Sequence, residues 1–127
     1  MDTFRHPIEL GDFEGNRFET LDALVDTGAT YTFVARDVLE RLGVVVEEER
    51  PFILANGQRV SYGVAWARVR FEGREQPTLV GFGDQGSTPL LGAVTLEEFG
   101  LGVDAVNERL VETPGFLVDI RIEEEPP

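Results

Sequence analysis

Residues 21–30 read Leu-Asp-Ala-Leu-Val-Asp-Thr-Gly-Ala-Thr, an aliphatic run that ends abruptly on an acid, a threonine and a glycine. The run predicts a β-strand whose end carries the carboxylate of Asp26. Such a position suits catalysis, because the strand holds the acid rigidly while Gly28 lets the backbone and a ligand approach closely. Asp-Thr-Gly is also a common turn tripeptide, so its surroundings must decide between a catalytic loop and an ordinary turn.

Four other segments are rich in valine, isoleucine, leucine and phenylalanine, and with residues 17–25 they predict a mostly β protein. They are residues 44–54, 59–71, 78–82 and 116–122. Large side chains alternate with small ones across residues 60–67, which is the period of a strand with two different faces. Asn56-Gly57 predicts a hairpin tip just before that strand.

Two short helices are predicted. Residues 35–42 carry apolar side chains at helical spacing, and Gly43 favours a stop after them. A second helix is predicted to begin at Thr95, because Thr-Leu-Glu-Glu has the form of a capping box. The tail at residues 123–127 is charged and ends in two prolines, so we expect it to be flexible and residues 1–122 to form one domain.

The composition excludes several kinds of function. The chain has no cysteine and one histidine, which excludes disulfides, thiol nucleophiles and most histidine-based metal clusters. Its 24 acidic and 11 basic side chains give a formal charge of −13, so we expect no nucleic-acid or membrane partner. No apolar run approaches the about 20 residues of a membrane helix. The N-terminus lacks the pattern of a secretory signal, so a cytoplasmic location is expected.

Three segments, taken in order, resemble the retropepsin family, the retroviral-type single-domain aspartic proteases. Residues 23–30 match the hydrophobic approach to Asp-Thr-Gly-Ala. Residues 55–63, Ala-Asn-Gly-Gln-Arg-Val-Ser-Tyr-Gly, look like the flap, a hairpin that closes over bound peptide. Residues 89–92, Pro-Leu-Leu-Gly, and the short helix after them are similar to the element that packs behind the active-site loop.

The resemblance implies a mostly β, closed and barrel-like small retropepsin (acid protease) fold with one or two short helices. Asp26 would be catalytic, and Thr27 and Gly28 would support the catalytic loop. The residues that would bind substrate are Ala29, Thr30, Asn56, Gly57 and Gln58. The implied activity is that of an aspartic endopeptidase, which cleaves peptide or protein substrates and needs no metal or organic cofactor.

Peptide hydrolysis by carboxylates requires such a chain to pair with itself. One acid must activate a water and another must protonate the amide nitrogen, and two neighbouring carboxylates divide these roles by sharing a proton. The chain contains one Asp-Thr-Gly, and residues 83–86, Gly-Asp-Gln-Gly, lack the threonine and the preceding aliphatic pair. We therefore expect a homodimer with Asp26 of each copy at the two-fold axis. By resemblance, residues 116–122 are the expected interface.

Several other conspicuous residues are interpreted as structural. Asp22 is expected to face solvent rather than act as a second acid, and His6 to lie on the surface of the first strand. Tyr62 and Trp66 are expected to pack beneath the flap. The acidic run at residues 47–49 is interpreted as an exposed turn or strand edge that discourages aggregation.

Two alternatives stay open. A retropepsin-fold domain could bind peptide or mediate dimerisation without cleaving anything, although such a domain has no chemical reason to keep Asp26, Thr27 and Gly28 beside a flap-like hairpin. A glycosidase would need two acids about 5 to 10 Å apart. The sequence marks no second acid for that role.

Overall fold

The computed structural model describes residues 3–115, and the elements below belong to that part of the chain. The strands are β1 (Phe4–Gly11), β2 (Phe18–Val25), β3 (Thr32–Ala35), β4 (Glu48–Ile53), β5 (Arg59–Phe71), β6 (Arg74–Gly83), β7 (Leu90–Leu91), β8 (Leu101–Asp104) and β9 (Arg109–Glu112). The helices are α1 (Arg36–Arg41) and α2 (Ala93–Glu98). The predicted interface at residues 116–122 and the predicted tail at residues 123–127 lie outside the described residues.

Seven of these strands form one sheet that closes on itself. Their order is β1-β2-β7-β3-β6-β5-β4, and β1 also pairs with β5 through residues 9–11 and 68–70. This second pairing closes a ring of six strands and leaves β4 on its outside, paired with β5. The prediction of a mostly β, closed, barrel-like fold with two short helices is confirmed.

The core fills the inside of the ring and fixes where β2 ends. Ile8 and Leu10 of β1, Ala23 and Val25 of β2 and Leu39 of α1 are all buried. Burying a large aliphatic side chain stabilises a fold by about 1.5–3 kcal/mol, so such a set supports a domain that has no cysteine to cross-link it. Because Val25 is the last buried residue of β2, the residue after it emerges at the edge of the core.

The long strand β5 departs from the predicted alternation halfway along. Val60 and Tyr62 are partly buried as predicted, but Val64 and Ala65 are both buried and the pattern then inverts. The inversion occurs where β5 leaves its pairing with β4 and continues towards β1. Trp66 is 43% exposed, so the expectation that it packs beneath the flap was wrong.

The second helix begins earlier than the sequence predicts. It starts at Ala93 with Gly92 as its N-cap, so the capping-box interpretation of Thr95 was wrong. Thr95 lies inside the helix, and its buried hydroxyl bonds to other threonines of the core instead of to the helix terminus. Within residues 3–115 neither helix is long and apolar enough to span a membrane.

The residues interpreted as structural lie near the surface. Asp22 is exposed and lies 3.8 Å from Arg5, as expected for a solvent-facing strand residue. His6 lies on β1 but is partly covered, with its ring edge-on to Phe71. Residues 47–49 are exposed, and the last two of them begin the edge strand β4, as expected of an exposed strand edge.

Candidate active site

The loop that carries Asp26 is held by hydrogen bonds on both sides of that residue. The backbone N–H of Asp26 donates to the carbonyl of Leu91 at 3.0 Å, and the carbonyl of Asp26 accepts from the N–H of Ala29 at 3.1 Å. The carboxylate Oδ1 accepts from the N–H of Gly28 at 2.9 Å. Asp26 is half-buried, and Thr27 beside it is exposed. The strand end therefore presents a carboxylate whose backbone cannot move freely.

The short strand β7 packs directly behind this loop. It lies between β2, to which it is parallel, and β3, to which it is antiparallel. Beyond β7 the contact continues, because the N–H groups of Ala93 and Val94 donate to the carbonyls of Ala29 and Thr30 at 2.8 and 2.9 Å. The residues after the acid are thus fixed by the segment that was expected to support them.

Gly92 allows this close approach. A Cβ at position 92 would lie 2.5 Å from the carbonyl carbon and oxygen of Tyr31 and 2.9 Å from the nitrogen of Thr32. Carbon atoms do not approach backbone this closely, so a side chain there would push the two segments apart. The glycine of the Pro-Leu-Leu-Gly element is required by packing against the site rather than by an unusual φ angle.

A cavity of about 680 Å³ opens beside the loop. Four of the predicted site residues line it, namely Asp26, Gly28, Ala29 and Thr30. Most of the rest of its wall is apolar and comes from β3, β4, β5 and the turn after β4. Among the lining residues that lie within the described part of the chain, Asp84 contributes the only other carboxylate; it is exposed and lies 4.0 Å from a guanidinium nitrogen of Arg36.

Four aromatic rings form one side of this cavity, and they were not predicted as site residues. They are Tyr31, Phe33, Phe52 and Tyr62. Phe33 packs edge-on against both Phe52 and Tyr62 at centroid distances of 5.0 and 5.3 Å. Tyr62 was expected to pack beneath the hairpin; it belongs to strand β5 of that hairpin, and its ring packs against Phe33 and Phe52. The sequence signal that could have identified two of them is the position of Tyr31 and Phe33 within seven residues after Asp26.

The hairpin of β4 and β5, which carries Phe52 and Tyr62, also brings its tip near the cavity. Its tip is a three-residue loop in which the N–H of Gly57 donates to the carbonyl of Leu54 at 2.8 Å, and Gly57 has a φ of 87°. This is a turn followed by a left-handed glycine bulge, rather than the two-residue turn that Asn-Gly often forms. Residues 51–55 line the cavity, whereas Asn56, Gly57 and Gln58 lie at the tip and do not.

A carboxylate on α1 holds the loop that follows β6. The N–H of Gly86 donates to Oδ1 of Asp37 at 3.1 Å. This hydrogen bond, with help from Arg41, holds the pKa of Asp37 below its usual value. Because Asp84 and Ser87 of the same loop line the cavity, Asp37 helps to fix the shape of that wall.

Comparisons with known proteins agree with this geometry. A sequence model of the aspartyl protease family matches residues 8–95. The fold is similar to that of EIAV protease complexed with the inhibitor HBY-793, with a TM-score of 0.56 and 20% identity over 76% of this chain and 88% of that chain. It is also similar to the simian foamy virus (mac) protease in solution, with a TM-score of 0.50 and 21% identity over 74% and 94% of the two chains. No curated protein matches the sequence.

Proposed function

The chain belongs to the aspartyl protease family, and on that premise we propose that it is an aspartic endopeptidase that acts as a homodimer on peptide or protein substrates. The observation that carries the proposal is the setting of Asp26, a half-buried carboxylate at a strand end that lines an open cavity shared with an extended hairpin. The family match supports the protease chemistry. The single Asp-Thr-Gly supports the pairing of two copies.

In the proposed mechanism two Asp26 carboxylates meet at a two-fold axis and share one proton. The ionised carboxylate takes a proton from a water as the water oxygen attacks the peptide carbonyl carbon. The protonated one then gives its proton to the amide nitrogen as the carbon–nitrogen bond breaks. Thr27 and Gly28 support the loop, with the Gly28 N–H holding one carboxylate oxygen in place.

The proposed substrate is a peptide in extended conformation. Ala29 and Thr30 would form the floor beneath it, because both line the cavity. Their carbonyls accept hydrogen bonds from the N–H groups of residues 93 and 94, and these bonds hold the floor in place. A peptide in this position can pair with exposed backbone as an added strand. Asn56, Gly57 and Gln58 would reach the peptide when the hairpin closes, which is how lids complete many active sites.

Mixing active and inactive chains tests the shared site. If wild-type and Asp26→Asn chains are equilibrated in equal amounts and pair at random, half of the wild-type chains enter heterodimers that hold one aspartate. The rate of peptide cleavage should then fall to about half that of the wild type alone at the same wild-type concentration. Diluting the wild type should also lower the rate faster than linearly, because a monomer has no complete site.

The mixing experiment is interpretable only if dimers exchange subunits, so exchange has to be demonstrated with differently tagged chains. A mixture that exchanges and yet stays as active as the wild type alone would show that each chain works by itself. The second acid would then have to come from the same chain. Asp84, on the cavity wall, would be the first residue to replace.

Gly57→Val is expected to raise KM and lower kcat together. The φ of 87° at Gly57 is in the left-handed region, which costs a β-branched residue more than about 1 kcal/mol. Among the described residues no atom lies within 4 Å of a Cβ at this position, so the effect would come from backbone strain and not from crowding. Steady-state kinetics with a peptide substrate would measure both constants.

Gly73→Val is the matched control for that change. Gly73 also has a left-handed φ, of 77°, and open space around its Cβ, but it lies in the turn between β5 and β6, outside the cavity wall. It should lose stability to a similar degree and keep its KM. If the two variants show the same kinetic defect, or if Gly57→Val shows none, the hairpin tip is not the lid of this site.

A further inference from the structure

Three buried threonine hydroxyls form a chain through the core behind the site. Thr32 lies on β3, Thr78 on β6 and Thr95 on α2, and none of the three is more than 1% exposed. Their oxygens are 2.7 Å apart from Thr32 to Thr95 and 2.7 Å apart from Thr95 to Thr78. Each hydroxyl has a single proton, so once the donor at one end of the row is fixed, the direction of every bond along it is fixed as well.

The two ends of the row set that direction. At one end the hydroxyl of Thr78 lies 2.8 Å from Oε1 of Glu98, and a carboxylate can only accept. Thr78 therefore donates to Glu98 and accepts from Thr95, which in turn accepts from Thr32. At the other end the N–H of Gly92 donates to Thr32 at 3.0 Å, which agrees with that order.

The row continues to the proposed catalytic residue through one peptide group. The N–H of Gly92 and the carbonyl of Leu91 belong to the same peptide unit, and that carbonyl accepts the N–H of Asp26 at 3.0 Å. Donation therefore runs without interruption from the backbone of Asp26, through this peptide unit and the three threonines, to Glu98. Hydrogen bonds in such a series strengthen one another, and more so in a buried environment.

We propose that Glu98 and Thr95 are positioning residues for the loop of Asp26. Glu98 lies at the exposed end of the row, and its negative charge favours the one arrangement in which every hydroxyl donates away from the site. In that arrangement the peptide unit of residues 91 and 92 is fixed on both sides, and it fixes the Asp26 backbone in turn. The inference rests on the proposed function, because the reaction gives this position its importance.

Replacing Glu98 by glutamine tests the role of the charge while keeping an oxygen that Thr78 can donate to. Glu97→Gln is the matched control, since it removes the same charge from the neighbouring exposed residue of α2. The measurement is the amide proton spectrum of the full chain without substrate. We expect the resonances of Gly92 and Asp26 to move upfield in Glu98→Gln, as their hydrogen bonds weaken, and to stay in place in Glu97→Gln.

Thr95→Val interrupts the row at its middle with almost no change in shape, and Thr95→Ser keeps the hydroxyl as its control. We expect kcat for a peptide to fall about tenfold in Thr95→Val and about threefold in Glu98→Gln, with KM nearly unchanged, because the loop is displaced rather than the binding surface. Thr95→Ser should recover most of the activity. If KM rises in Thr95→Val by about the same factor as kcat falls, the role of Thr95 is merely structural and the inference is overturned.

The two measurements separate this inference from the proposed function. If the wild type cleaves no peptide, the proposed function fails and the amide resonances alone decide whether the row reaches Asp26. If the wild type is active and Glu98→Gln matches Glu97→Gln in both spectrum and kcat, the proposed function stands and Glu98 has no positioning role.

Discussion

Asp26→Asn is expected to fold and pair like the wild type and to lose peptide cleavage by about 10³-fold or more, the scale seen when an essential catalytic group is removed. The fold should survive because the asparagine oxygen can still accept the N–H of Gly28, the contact that Oδ1 makes at 2.9 Å. The chemistry should not survive, because an amide neither takes a proton from water nor shares one with a second carboxylate. Cleavage of a labelled peptide, with circular dichroism as the check on folding, would measure both effects.

Asp22→Asn is the control for that loss. Asp22 is an exposed carboxylate on the same strand, four residues before Asp26, and removing its charge leaves the cavity unchanged. Its activity should stay near that of the wild type. Asp26→Asn with near-wild-type activity would exclude the aspartic protease mechanism. A wild type that binds peptide but cleaves none would favour the alternative of an inactive peptide-binding or dimerisation domain.

Gly92→Ala is expected to destabilise the fold by about 3 kcal/mol or more, at the upper end of the cost of overpacking a core. The added methyl group would lie 2.5 Å from backbone atoms of Tyr31, and backbone cannot move aside by changing a rotamer. Either β7 or the loop of Asp26 has to shift. The expected fall in Tm is about 10 °C or more for a domain of this size, and activity should be lost beyond what the unfolded fraction explains.

Gly115→Ala provides the comparison, because a Cβ there meets no atom of residues 3–115 within 4 Å and the backbone is not left-handed. Its stability should stay within about 0.5 kcal/mol of the wild type, as for most surface substitutions. Thermal unfolding followed by circular dichroism would measure both variants. Equal melting temperatures for Gly92→Ala and the wild type would mean that the two segments are less closely packed than their separation indicates.

Local patterns account for the parts of the fold that the sequence predicts well. Strand β5 runs from Arg59 to Phe71, the bounds that its composition predicts, and the hairpin tip lies at the predicted Asn56-Gly57. The helix predicted at residues 35–42 occupies Arg36–Arg41. In each case side chains close in sequence carry the information, through alternation, a turn pair or a glycine stop.

The parts that were missed depend on contacts between distant residues. Strand β7 has two residues, and the resemblance predicted its position but not its pairing with β2 and β3 on either side. Thr95 has the sequence of a helix cap, but a buried partner on β3 determines its role. The inversion within β5 that exposes Trp66 follows from a change of neighbouring strand. No pattern within a short window contains this information.

The candidate site divides in the same way between local and distant information. The motif identifies the acid, whereas the other residues of the cavity come together only through the ring of strands. Asp26 through Thr30 could be read directly because they are contiguous. The aromatic side of the cavity could not be predicted, because Phe52 and Tyr62 come from the hairpin while Phe33 comes from β3. The binding contribution of residues 56–58 stays a prediction.

The placement of β7 between two earlier strands also determines when the site can form during folding. The loop of Asp26 gains its hydrogen bonds from residues 91, 93 and 94, which lie far along the chain, so the site has high contact order. Chain segments that must meet over long separations form late, because the entropy of closing the loop is lost before the contacts are gained. A nascent chain that ends before Leu90 can hold the hairpin but has no β7 to support the aspartate. If the proposed function holds, the active site is therefore complete only after residues 90–94 have folded against the loop of Asp26.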